Sequence, residues 1–146
     1  MSLLILASAS PRREALLAQV GLKPDLIVGP EIDETPRARE LPRAYATRMA
    51  KEKAAACWNA LTEGDRAQLP YVLAADTVVS AGRRILPKAH DAADVVRCLT
   101  LLSGRRHTVI TAVALLREGQ KVKVKRVETK VQFRRLTPAE IKAYAA

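Results

Sequence analysis

The chain is 146 residues long, 49% hydrophobic, with a formal net charge of +10 and 3% aromatic residues. That is one globular domain with a core of Leu, Val, Ile and Ala, not a disordered chain. No apolar run is long enough for a bilayer and no basic leader precedes a cleavage pattern, so the expected location is cytoplasmic. The positive charge favours an anionic partner without naming it.

Residues 3–7 are an apolar run that predicts a buried strand. Ser10 is placed to cap a helix with Pro11 at its first position. Leu16, Leu17 and Val20 give that helix an apolar face, and Gly21 is placed to end it. Residues 26–28 predict a second short strand. "GPEIDETPRARELP" predicts a polar, proline-punctuated loop. A long helix is predicted over about 42–61, a connector over 64–70 and a strong strand over 71–80, broken by "AGRR". Asp91 and Asp94 open a further helix, with Val95, Leu99 and Leu102 on one face and Gly104 after it. Residues 108–116 predict a strand.

Over 121–133 the valines change phase: Val122 and Val124 are even, Val127, Val131 and Phe133 odd. This predicts a bulge or bend near Lys125 and Arg126. Thr137, Pro138 and Glu140 form a capping-box pattern for a last helix. The order of elements predicts an α/β fold, a mixed sheet flanked by helices. Cys57 and Cys98 share no metal or disulfide spacing and are expected as reduced core residues.

Three features stand out. Asp76, in "YVLAADTVV", has apolar neighbours on both sides. Such a carboxylate either faces a cleft or pairs with a cation, or it is a turn or cap aspartate. Lys53 shares a helix face with Ala46, Met49, Cys57 and Ala60, while Lys51 lies with Arg48 and Glu52 on the wet side. It either reaches a site or snorkels at the core margin. Ser8, Ser10, Arg12 and Arg13 lie at a strand-to-helix junction, where free N–H groups and guanidinium forks suit phosphate. Their alternative is a capped helix with two solvated arginines. Lys88, in "ILPKAHD", and Glu34, in "EIDE", are loop charges by themselves. Together these residues predict a phosphate or nucleotide site.

"LILASASPRREALL" resembles the S-x-S-x-R-R signature of the Maf-like nucleotide pyrophosphatases, also called septum formation inhibitor proteins. "IDE", "RMAKEKA", "AADTVV" and "LLSGRRHTVITAVAL" resemble the same family in order and spacing, across essentially all of residues 1–146. The resemblance implies a Maf and inosine-triphosphatase-like architecture and a cytoplasmic, usually dimeric enzyme. That enzyme hydrolyses nucleoside triphosphates to the monophosphate and pyrophosphate with a divalent cation, Mg²⁺ or Mn²⁺.

By position the resemblance implies Asp76, Lys53 and Lys88 as catalytic. Ser8, Ser10, Arg12, Arg13, Thr77 and Glu34 would bind substrate, with Asp76 and Glu34 as the metal ligands. "SPRR" resembles the branch that prefers dTTP and UTP. Two departures are visible: Ala89 stands where the family often has proline, and the family's further C-terminal segment, with a site glutamine, is expected to be lacking here. The competing class is a nucleic-acid-binding module, supported by "KVKVKRVETKVQFRR". The lack of stacking aromatics and the isolated Asp76 weigh for nucleotide rather than nucleic acid. A regulator of cell division is a third class, compatible with the enzyme.

Overall fold

The computed structural model describes residues 3–146. In chain order these are β1 (Leu4–Ala7), α1 (Pro11–Gln19), β2 (Leu26–Val28), α2 (Pro42–Ala60), α3 (Glu63–Ala67), β3 (Tyr71–Ala81), β4 (Arg84–Leu86), α4 (Ala92–Leu102), β5 (Arg106–Leu116), β6 (Lys123–Gln132) and α5 (Pro138–Ala145). The sheet runs β2-β1-β3-β5-β6, with β4 also on β3. β1 is parallel to both β2 and β3, whereas the β3–β4, β3–β5 and β5–β6 pairs are antiparallel. The expected mixed α/β sheet is therefore present.

The core lies between one sheet face and α2. Val72, Ala74 and Val78 of β3 join Ile110, Ala112 and Ala114 of β5 on that face, and Ala46, Met49, Ala50, Ala54 and Cys57 of α2 close over them. Alternation along each strand puts every second residue there. Fully buried Met49 contributes about 1.5–3 kcal/mol relative to exposure. The small residues on both sides let the helix lie close to the sheet. Lys53 is one turn from both Met49 and Cys57, so it points the same way.

Several termini behave as their sequences predict. Gly21, at φ +77°, sits beyond the end of α1. Leu22 N–H donates to the Leu17 carbonyl and Gly21 N–H to that of Ala18, which satisfies the last helical acceptors. Asp91 accepts from Asp94 N–H at the start of α4. Thr137 and Glu140 form the full capping box of α5.

Other expectations fail. Ser10 occupies the N-cap of α1 without a side-chain cap bond; instead its own N–H donates to the Ser8 hydroxyl. α1 buries no residue, and Leu16 and Val20 are 58% and 70% exposed. Of the predicted apolar face only Leu17 is half-buried, and Leu16 and Val20 are left open. No bulge interrupts β6, whose register with β5 is continuous from Gln132 to Lys123. β6 is an edge strand with little burial on either face, so the phase change is absorbed by leaving Val127 exposed. The 64–70 connector contains short α3, capped by Thr62. "AGRR" is the hinge of a hairpin: Gly82, at φ +62°, turns β3 directly into β4. Cys57 is buried and Cys98 half-buried, both as free thiols. No helix among the described residues is long and apolar enough to cross a membrane.

Candidate active site

β1 accompanies β3 only as far as Ala74, and β4 joins the same edge only from Val79. Residues 75–78 thus have no strand beside them on that edge. The sheet is notched there, and Asp76 and Thr77 lie in the notch.

Asp76 is 3% exposed and points to the α2 side. Its Oδ1 accepts a hydrogen bond of 2.7 Å from Lys53 Nζ. The Lys53 side chain is 12% exposed and also lies 3.4 Å from Glu34 Oε1. Lys88 Nζ reaches the same Glu34 oxygen at 3.2 Å. Two carboxylates and two ammonium groups from three loops or helices and one strand therefore form a single chain of charge. Asp76 is thus both paired with a cation and open to a cavity, and Lys53 turns inward to it instead of snorkelling to solvent.

Two cavities meet at this chain. One, of about 290 Å³, is lined by Ser8, Ser10, Arg13 and Lys53. The other, of about 210 Å³, is lined by Tyr45, Asp76, Thr77, Val78, Ile85 and Leu86, with His90 at its edge. Glu34 and Lys88 line both and form the partition between them. The first cavity is cationic and rich in donors. The second has mainly apolar walls.

Thr77 projects from the opposite sheet face to Asp76. Its hydroxyl lies 3.0 Å from that of Thr111 and accepts a longer contact, 3.4 Å, from Arg13 Nη2. Arg13 thus arrives from α1 and is steered by β3. Arg12 is exposed and lines neither cavity. The other expected site residues converge on the notch.

The loop bearing Glu34 is anchored by residues that the sequence did not single out. Tyr45 donates to the Glu34 carbonyl at 2.5 Å. Arg48 Nε and Nη2 each donate to Glu40 at 2.7 Å, and Nη2 also donates to the Thr35 carbonyl at 3.1 Å. Arg48 Nη1 reaches Glu52 at 2.8 Å. The wet-side position expected of Arg48 is overturned, because the 35–40 loop folds over it and leaves its side chain 15% exposed. The available signal was an arginine with Glu40 eight residues before and Glu52 four after.

These contacts set the titrations. Burial would raise the Glu34 carboxyl, but the Lys88 hydrogen bond and the Lys53 and Lys88 charges outweigh it and hold it low. Burial raises the Tyr45 phenol, helped by the charges of Asp76 and Glu34. The Arg48 hydrogen bonds hold Glu40 at about 2, against an ordinary 4.5. A depressed carboxyl stabilises the fold above its unfolded value, and that gain is lost as pH falls from about 4.5 to about 2. Glu40→Gln should therefore lower the melting temperature at pH 7 and shrink its drop between pH 5 and pH 2. Melting curves at these values test this; an unchanged acid limb would remove Glu40 from the account.

Asp76 and Glu34 both converge on one ammonium and face the cavities, a hard-oxygen pair already holding positive charge. That donor set fits Mg²⁺ or Mn²⁺ completed by phosphate oxygens and water. Among the described residues no cluster of three or more His, Cys, Asp or Glu could hold a metal by itself.

Residues 3–146 match the family described as Maf-like protein. A dTTP/UTP pyrophosphatase of Caulobacter vibrioides is 54% identical over 143 residues, 98% of this chain and 71% of that one. One of the same name from Zymomonas mobilis is 53% identical over 145 residues, 99% and 69% of the two chains. Among solved structures, the Ham1 protein of Staphylococcus aureus superposes with a TM-score of 0.54 at 14% identity, covering 88% of this chain and 70% of that one. A nucleoside-triphosphatase, dITP/XTP pyrophosphatase, from Mycobacterium abscessus gives 0.51 at 20% identity, covering 87% and 71%. At such identities the two structures speak for the fold alone.

Proposed function

The chain belongs to the Maf-like protein family, and from that premise we propose that it hydrolyses dTTP and UTP to the nucleoside monophosphate and pyrophosphate. The names of the relatives at about half identity support the substrates. The observation that carries the reading is the notch: a buried carboxylate that lines the apolar cavity and is bonded to the lysine of the adjoining cationic one.

The triphosphate enters the cavity of Ser8, Ser10, Arg13 and Lys53, and the base enters the cavity of Tyr45, Val78, Ile85 and Leu86. A nucleotide spanning both must part the Glu34–Lys88 bridge, which frees Lys88 for phosphate. Phosphate oxygens also compete for Lys53 and release Asp76. Its carboxylate then takes a proton from the attacking water, as that oxygen bonds to the α-phosphorus and the bond to pyrophosphate breaks. Arg13, Lys53 and Lys88 stabilise the charge gathering on the leaving group. Arg12, exposed beside the first cavity's helix, is left as an outer guanidinium for the same phosphates. A divalent cation at Asp76 and Glu34 would supply Lewis-acid polarisation of the phosphate. In this reading residues 1–146 are a single catalytic domain acting in the cytoplasm, and its working form is a homodimer.

The test is a panel of dTTP, UTP, dCTP, dATP and GTP with Mg²⁺ or Mn²⁺, products resolved by chromatography. The expected result is thymidine or uridine monophosphate plus pyrophosphate, lost on chelation of the metal. Release of orthophosphate and a diphosphate, or equal turnover of purines, would refute the reading.

A further inference from the structure

A further cavity, of about 440 Å³ and with both polar and apolar walls, opens on the α2 side of the sheet but away from the notch. Ser80 lies on the same face of β3 as Asp76, about 13 Å further along the strand. Its cavity is lined by Arg43 and Ala44 of α2, Ser80 and Arg83 of the β3–β4 hairpin, Thr108 of β5 and Arg126 of β6.

Three independent features there demand an anion. α2 is a 19-residue helix whose N-cap, Leu41, offers no side-chain acceptor, and its first turn has no acidic residue. The N–H groups of Arg43 and Ala44 bond to nothing among the described residues, and they carry the positive end of the helix dipole. Ser80 is only 3% exposed, yet it lines the cavity and its hydroxyl takes no part in the hydrogen bonds of the described residues. The oxygen is therefore open to the cavity and free to donate to what enters it. Arg43 is held by Glu128 through both Nε and Nη2. Arg83 and Arg126 have no carboxylate within ion-pair distance among the described residues, so two guanidinium forks are left over.

We propose that this cavity is a second phosphate-binding site, taking a polyanionic phosphate: inorganic pyrophosphate or the terminal phosphates of a nucleotide. The helix N-terminus and Ser80 bind the oxygens directly, and Arg83 and Arg126 close on them from the hairpin and the edge strand. A phosphate group matches two unpaired guanidinium forks better than a carboxylate, because it offers them three oxygens and up to two charges. The site stands whether or not the notch hydrolyses nucleotides.

The experiment is a titration of the 146-residue chain with inorganic pyrophosphate at 0.15 M salt, read by amide NMR. A parallel arm uses a non-hydrolysable dUTP analogue to distinguish the two sources. The Arg43 and Ala44 amides should shift saturably, with an affinity separate from that read at residues 8–13. Ser80→Ala, Arg83→Ser and Arg126→Ser should each weaken that affinity about tenfold while leaving the response at 8–13 in place. Melting temperatures of the same variants confirm that each is folded. Unmoved Arg43 and Ala44 amides overturn the proposal. So does weakening by the arginine variants without any by Ser80→Ala, which would be diffuse charge attraction. A response to duplex DNA but to neither small anion also overturns it.

Discussion

Asp76→Asn should lower dTTP turnover at least a hundredfold in a protein that still folds. Asparagine keeps the size and one acceptor oxygen, but it accepts no proton at neutral pH and offers no full charge to a divalent cation. A general base is worth roughly 10²–10⁴-fold, which sets the scale of the loss. The structure adds a cost in stability. Asp76 accepts the 2.7 Å bond of Lys53, and an amide accepts it less strongly. A loss of up to about 1.5–3 kcal/mol is expected, the worth of a hydrogen bond to a charged group. Glu34, 3.4 Å from the same ammonium, limits it. Turnover and melting temperature are to be measured on one preparation. Near-normal turnover would make Asp76 a structural residue and end the mechanism.

Lys53→Met should be the more damaging to stability and comparably damaging to activity. Methionine matches the lysine stem in volume and helix propensity, so the packing against Met49 and Cys57 is kept. What is lost is the charge. Asp76, 3% exposed, is left as a buried carboxylate whose ammonium has gone. Breaking one side of a buried pair costs about 3–5 kcal/mol. Activity should fall by orders of magnitude, because the same ammonium meets phosphate in the proposed mechanism.

The double variant Lys53→Met with Asp76→Asn separates the two roles. It leaves no uncompensated charge, so its melting temperature should recover towards that of the parent. Its turnover should not recover. If activity returns along with stability, the pair serves only the fold. If Lys53→Met melts like the parent, the pair is not coupled as its geometry indicates.

Much of this molecule follows from local sequence. The strand of β3, the helix of α2, the Gly21 stop, the Asp91 cap and the Thr137–Glu140 box are written in periodicity and capping chemistry, which act over a few residues. The anomaly of Asp76 and the inward place of Lys53 were visible for the same reason: a charge inside an apolar period is a local signal. That they bond each other was not, because they are 23 residues apart on a strand and a helix.

Tertiary structure alone decided the rest. Only the end of β1 at Ala74 and the start of β4 at Val79 create the notch, since strand pairing depends on which segments meet and not on any one of them. Only the folding of the 35–40 loop over α2 covers Arg48, whose helical position by itself looks wet. The missing bulge in β6 has the same origin. Hydrophobic phase dictates register where a face is buried, but an edge strand with little burial on either face lets register follow its neighbour and leaves Val127 in water.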